Sequence, residues 1–245
     1  MKISFVIPAY NEESYIGECL KSLTSQALNS PVDVEIIVVD NASTDKTAEV
    51  AKSFPGVIIV HEPKKGLTNA RQAGFKASHG DIIANIDADT KIGKGWIETV
   101  VSEFTRNPKL VGLSGPFTYY DLPRRHNSLV TSYYYLGYGI YVLNRFVLRV
   151  GSMIQGGNFV IRRAALEEIG GFNLMLSFWG EDADIAKRLH KVGPVKFTFR
   201  LKMPSSGRRL AEEGIIRMGL KYPLNYFSTI FLKGPISTKY KDIRK

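Results

Sequence analysis

The sequence predicts an α/β fold: a mostly parallel central sheet flanked by helices, followed by a helical C-terminal extension. Three observations carry this. Short apolar runs at 3–7, 34–39, 57–60 and 82–86 alternate with helically spaced segments, the pattern of strand, crossover helix and next parallel strand. The runs end on Pro8, Asp40 and Asp87, at the carboxyl ends of strands, where open α/β sheets bind ligands. The alternation is lost after about Pro116, which reads as a change of role inside one domain. The expected organisation is therefore a single domain over 1–204, with a ligand-binding half at 1–115 and a second half at 116–204, and a basic helical tail over 205–245.

Composition narrows the classes. A chain of 245 residues buries a sizeable core. The formal net charge is +10, and 205–245 holds nine Lys/Arg against three Asp/Glu; a basic tail favours an anionic partner, here a membrane surface rather than nucleic acid. The single cysteine, Cys19, excludes an internal disulfide and a thiolate metal site. The apolar run at 3–7 is cut short by Pro8 and followed by Asn11, Glu12 and Glu13, unlike a signal peptide. The most apolar stretch, 129–143, is too short to span a bilayer. The expected location is cytoplasmic, with peripheral attachment to the inner face of the cell membrane.

In chain order, 3–7 is a first buried strand, and Pro8, Ala9 and Tyr10 turn it toward a helix opening near 11–14. The turn lacks the Gly-x-Gly-x-x-Gly pattern of a dinucleotide-binding domain. The strand at 34–39 ends on Asp40, and Asp45 or Thr44 is a natural N-cap for a helix over 46–53. A third strand at 57–60 precedes a helix over 66–78 that carries Arg71. A helix over 96–105 and a strand at 110–114 follow the fourth run. From 119 to 150 the chain is crowded with tyrosines and carries Arg124, Arg125, Arg145 and Arg149. A segment so apolar on all sides is expected to form core against the sheet, with one exposed face. A strand at 159–161, a helix over 163–169 stopped by Gly170 and Gly171, an acidic helix start at 181–184 and a last strand at 195–199 complete the domain.

The fourth run, DIIANIDADT, is the chemical centre. On an extended segment residues i and i+2 point the same way, so Asp87 and Asp89 are expected to aim at one point off the strand end. Two carboxylates suit a hard cation, Mg2+ or Mn2+, and leave positions open for phosphate oxygens. The plainer reading is that they only end a strand and begin a turn. At 181–184, acidic residues in a first helical turn suit the helix dipole, but Glu181, Asp182 and Asp184 are more than it needs.

FVIPAYNEE, VVDNASTDKTAEVA, GLTNARQAGFKASHGDIIANIDADT, GGNFVIRRAALEEIGGFN and GEDADIAKRL, in this order and covering about three quarters of the chain, resemble the family 2 glycosyltransferases of the GT-A fold. The resemblance implies that Pro8, Ala9, Tyr10 and Glu12 line a nucleotide pocket, that Asp40 holds the base or ribose, and that Arg71 lies near the phosphates. It further implies Asp87 and Asp89 as the metal-binding pair, Glu181 in the donor site and Asp182 as general base. The chain departs from the family where Asp40 is followed by Asn41, Ala42 and Ser43 instead of Asp-Gly-Ser. One carboxylate is lost, and that part of the pocket is expected to loosen. The Gln-x-x-Arg-Trp motif of processive members is reduced at best to Ser205, Ser206, Gly207, Arg208, Arg209.

The resulting expectation is an inverting, Mn2+- or Mg2+-dependent transfer of a sugar from a nucleoside diphosphate sugar, a UDP-sugar first, to the hydroxyl of a glycan or lipid-linked acceptor. The retained Asp182 weighs against a polyprenyl-phosphate acceptor. Two rivals come from other classes. A haloacid dehalogenase type phosphatase would use Asp87 as nucleophile, with Asp182 and Asp184 completing a Mg2+ site, but its motif belongs on a first strand. A non-catalytic nucleotide-sugar binding scaffold would need Asp40 and Asp89 but not Asp182.

Overall fold

The computed structural model describes residues 1–148, 152–176, 178–232, 234–237 and 241–244; the expected cations Arg149, Lys233 and Lys245 lie outside them. The first half follows the sequence expectation closely. Strands β1 (Lys2–Ala9), β2 (Asp33–Asp40), β3 (Val57–His61) and β4 (Ile82–Ile86) alternate with helices α1 (Ile16–Leu28), α2 (Thr47–Lys52) and α3 (Leu67–Ala77). The runs in β1, β2 and β4 form strands buried on both faces, whereas β3 at the sheet edge is only partly covered. Burial is fullest in β4, where all five residues are buried. Each fully buried isoleucine there contributes about 1.5–3 kcal/mol. Helix α1 begins later than its sequence suggests, because Asn11 is left-handed (φ 50°) and the Glu12 carbonyl accepts from Tyr15 N and Ile16 N.

After α4 (Trp96–Arg106) come β5 (Gly112–Ser114) and β6 (Phe117–Tyr119), then α5 (Arg124–Val142), which continues into a π-helical turn at Leu143–Leu148. Strand β7 (Asn158–Arg162), α6 (Arg163–Glu168), α7 (Glu181–Val192), β8 (Val195–Phe197), β9 (Met203–Ser205), α8 (Arg208–Glu213) and α9 (Ile215–Phe231) follow. The main sheet runs β3-β2-β1-β4-β7-β5-β8. Strand β7 is antiparallel to both β4 and β5, while β1, β2, β3 and β4 are mutually parallel and β5 pairs parallel with β8. A separate parallel pair, β6-β9, ties the second half to the start of the tail.

The aromatic segment departs from expectation. In α5 only Tyr141 is buried, so the helix is not core. Its inner edge stacks on one corner of the domain, Tyr134 on Phe197 and Tyr135 on Phe199, and its opposite side faces outward. The tail packs on the domain through Met218 and Ile230 of α9, both buried. No helix among the described residues is long and apolar enough to cross a membrane.

Candidate active site

The parallel strands deliver their carboxyl ends to one edge. Ala9 pairs with Asp40, and Asp40 with His61. Asp40 is buried, accepting from Ser43 N at 3.1 Å and standing 3.0 Å from His61 Nδ1. Asn11 locks the facing loop, donating its amide to Ser43 Oγ and accepting from Thr44 N at 2.9 Å. Tyr10 lies beside this pocket with the Lys65 ammonium 3.6 Å from its ring centre.

The departure at Asn41 does not loosen the pocket. Its side-chain amide donates to the carbonyls of Glu62 (2.9 Å) and Lys64 (2.8 Å), and its oxygen accepts from Gly66 N at 2.7 Å. An ionised carboxylate has no hydrogen to donate, so Asn41 braces the loop between β3 and α3 in a way that aspartate cannot. Ala42 follows in the left-handed region at φ 62°.

Beyond β4 the chain does not stay extended. Thr90 donates both its amide (3.2 Å) and its hydroxyl (2.7 Å) to the Asp87 carbonyl, closing a turn over Asp87–Asp89. The two carboxylates therefore do not share one direction, as a strand would dictate; each meets a different arginine. Asp87, 37% exposed, faces Arg71 Nη2 at 3.6 Å. Asp89 faces Arg208 Nη2 at 3.1 Å. Arg208 also donates to both oxygens of the buried Glu12, at 2.5 and 2.7 Å, and Arg244 Nε adds a bond to Glu12 at 2.8 Å. Burial pushes the Asp89 carboxyl up to about 7 against the pull of Arg208, with Asp87 and Glu12 adding repulsion. Behind the turn, burial pushes the Cys19 thiol up to about 12, leaving it inert.

This donor set fits a hard divalent cation in part. Asp89 and Glu12 share Arg208, and Asp87 faces Arg71, so part of their charge is already met. Among the described residues no group of three His, Cys, Asp or Glu side chains could hold a metal ion by itself, so a metal here needs oxygens from a ligand.

The third cluster sits where β7 enters the sheet. Asn158, buried at its start, donates to the carbonyls of Gly115 (2.9 Å) and Leu201 (2.8 Å) and accepts from Trp96 Nε1 (3.2 Å). This fixes the preceding Gly156-Gly157. Gly157 is left-handed (φ 79°), and a Cβ on it would overlap the Asp87 carboxylate; one on Gly156 would lie 3.0 Å from Glu181 Oε1 and 3.7 Å from Asp182 Oδ2. The glycine pair thus lets the backbone pass between Asp87 on one side and Glu181 and Asp182 on the other.

Arg71 and Glu181 lie behind this surface rather than on it. Arg71 is 1% exposed, ion-paired with Glu181, and its guanidinium stacks 4.9 Å from the Phe159 ring centre. Burial pushes the Glu181 carboxyl up to about 7, opposed chiefly by Arg71. The acidic helix start resolves into separate tasks: Glu181 neutralises Arg71, and Asp184 pairs with Arg188 at 2.8 Å, while Asp182 feels Arg71 only at longer range. Asp182 Oδ1 accepts from Ala183 N at 2.8 Å. Burial pushes its carboxyl up, opposed by the amide of Ala183 and by Arg71. Beside it lies an aromatic wall: Trp179 stands 5.7 Å from Tyr222, and Tyr134 donates to Gln155 Oε1 at 2.8 Å.

The sequence marked Asn41 only as a departure from the family pattern, Arg208 only as part of a reduced motif and Gly156-Gly157 only within a family motif, and gave none of them a site role; Arg244 left no signal. The phosphatase alternative loses its geometry: Asp184 is held by Arg188, and β4 is the fourth strand, not the first.

The family described as glycosyl transferase family 2 matches residues 4–170, and one described as the N-terminal domain of galactosyltransferase matches residues 147–205. "Probable glycosyltransferase YdaM" of Bacillus subtilis is 30% identical over 206 residues, 78% of this chain and 47% of that protein. The chain spans less than half the length of the first curated relatives it matches. Among solved structures, S. aureus TarS 1-349 superposes with a TM-score of 0.66 at 18% identity, covering 98% of this chain and 76% of the other. Glucosyl-3-phosphoglycerate synthase from Mycobacterium tuberculosis, solved with Mn2+, UDP-glucose and phosphoglyceric acid, gives 0.63 at 22% identity, covering 94% and 80%. These two likenesses establish the fold.

Proposed function

Because this chain belongs to glycosyl transferase family 2 and has the GT-A fold, we propose that it is an inverting transferase that moves a sugar from a nucleoside diphosphate sugar to an acceptor hydroxyl. One observation carries the mechanism. Asp87 at the end of β4 and Asp182 at the start of α7 flank the Gly156-Gly157 passage, so a group bound at the first is within reach of the second.

In this reading Pro8, Ala9, Tyr10, Glu12 and Asp40 form the nucleotide pocket, with Tyr10 stacking on the base and Asp40 accepting from base or ribose. Asp89 would be the principal ligand of a bound Mn2+ or Mg2+, and Asp87 would contact the ribose or help hold the metal. The metal supplies Lewis-acid neutralisation of the departing diphosphate. Arg71, held by Glu181, keeps Asp87 oriented. Asp182 accepts the acceptor's proton; its raised proton affinity suits a general base. Its negative charge also opposes an anionic acceptor, which favours a hydroxyl of a glycan or lipid-linked glycan over a polyprenyl phosphate. The UDP-sugar of the mycobacterial synthase structure supports a UDP-sugar as the donor to try first. The enzyme acts on the cytoplasmic side, attached peripherally to the inner face of the membrane.

The test is a thermal-shift panel of nucleotides and nucleotide sugars, with and without Mn2+. A donor that binds only the folded state raises the midpoint by mass action. Stabilisation by one nucleoside diphosphate and its sugar, enhanced by Mn2+, is the expected outcome, and no response to any nucleotide defeats the reading.

A further inference from the structure

Two helices outside the site carry outward faces that a water-exposed protein has little use for. Along α5 and its π-helical continuation, Leu136, Val142, Leu143, Phe146 and Val147 are all exposed, Leu136 and Val147 by 67% each. Their spacing places them on one stripe of the helix. On α9, Ile216 (77% exposed), Leu220 and Leu224 form a second stripe with a spacing of four. The two helices are joined at two places: Tyr133 donates its hydroxyl to the Gly219 carbonyl at 2.8 Å, and Asn144 Nδ2 donates to the Tyr226 hydroxyl at 3.1 Å. Exposed apolar stripes on two adjoining helices of this kind mark a binding face.

Charge decides what covers it. Neither 124–148 nor 215–231 contains an aspartate or glutamate, while they hold Arg124, Arg125, Arg145, Arg217 and Lys221. Arg124, Arg125 and Arg217 are exposed. A second copy of the chain packed face to face would oppose like charges across an isologous contact. An anionic bilayer would not: apolar side chains enter the acyl boundary while arginines meet the headgroups. The tail as a whole contributes less charge than its composition suggests. Arg208 is paired with Glu12 and Asp89, Arg209 and Lys221 with Glu213, Lys241 with Glu212, and Arg244 with Glu12.

We infer that the α5–α9 pair is a docking face for the surface of an anionic lipid bilayer. The face lies one helix away from the candidate base. Lys187 of α7 donates to the Ile230 carbonyl of α9 at 2.7 Å, and Asp182 is in the first turn of that same α7. On the transferase reading proposed above, this places the acceptor in the membrane as a lipid-anchored glycan.

The experiment is flotation of the full chain, without donor or metal, on phosphatidylcholine vesicles with and without about one third phosphatidylglycerol. The protein is expected to float with the anionic vesicles. Leu136→Glu/Val147→Glu should lower the bound fraction by about tenfold with an unchanged melting midpoint, since both side chains are exposed. Arg125→Glu leaves the apolar stripe intact and should weaken binding to anionic vesicles only. Binding unaffected by both variants, or a parent protein that stays in solution and elutes as a concentration-dependent dimer, would overturn the inference. Because no turnover is read, a failure of the transferase reading leaves this result standing, and the reverse also holds.

Discussion

Arg208 Nη2 stands 3.1 Å from Asp89 Oδ2, so the carboxylate with the strongest claim to a metal already has a cation beside it. The contact joins the start of α8 to the turn after β4, and it opposes the burial that pushes this carboxyl up to about 7. A divalent ion binding Asp89 must share it with this guanidinium. Asp89→Ala should therefore abolish the Mn2+ dependence of UDP or GDP affinity while leaving the fold intact. Calorimetric titration with and without Mn2+ reads this directly, and an unchanged metal dependence would remove Asp89 from the metal site.

The Arg71–Glu181 pair is a buried ion pair whose members are 1% and 6% exposed. Breaking one side leaves an uncompensated buried charge, at a cost of about 3–5 kcal/mol. Arg71→Met is expected to cost that much in urea unfolding, and Arg71→Met/Glu181→Gln to recover part of it, because the amide no longer needs the guanidinium. Strictly additive losses in this cycle would show that the two side chains act independently.

Glu35, on β2 at the far end of the sheet, gives a pH signature. It accepts from Ser4 Oγ at 2.6 Å, His79 N at 2.9 Å and Lys2 Nζ at 3.2 Å. Burial acts to raise its carboxyl, but the bonds from Ser4, His79 and Lys2 together prevail and hold it at about 2, against an ordinary 4.5. A folded pKa below the unfolded one means the stabilisation is complete above the unfolded value and is lost as pH falls through the folded one. Glu35→Gln should cost about 2 kcal/mol at neutral pH, and the gap to the parent should close between pH 4.5 and about 2. A gap that stays constant over that window would mean the bonds do not depend on the ionised form.

The parts of the fold legible in the sequence are those set locally. Strand β4 coincides with its apolar run because five consecutive buried residues leave no other reading, and α7 begins at its acidic turn. The antiparallel direction of β7 was not legible, since strand direction depends on partners that periodicity does not name. Nor was the exposure of α5: an aromatic run looks alike whether protein or lipid covers it. In the site, Asp40, Asp87, Asp89 and Asp182 stood out because they fall within the family's motifs, the first two directly after apolar strand runs. Arg208 and Arg244 did not, because they reach Glu12 across 196 and 232 residues of sequence.

Asp182 separates an enzyme from a binding scaffold. Of the three acidic residues in the first turn of α7, Glu181 and Asp184 are each matched to an arginine, so the helix dipole and local ion pairing account for two of them. Asp182 is the remainder: burial raises its proton affinity, and it sits across the glycine passage from Asp87. Asp182→Asn keeps the size of the side chain and an oxygen that can accept from Ala183 N, so folding and donor affinity should survive. Transfer should fall by about two orders of magnitude or more, since the proton acceptor is lost while binding is kept. One base and one in-line displacement imply a single inversion, so the product anomer read by NMR should be opposite to that of the donor. Near-normal transfer by the asparagine variant, or a retained anomeric configuration, would reduce Asp182 to a helix cap and require a different mechanism.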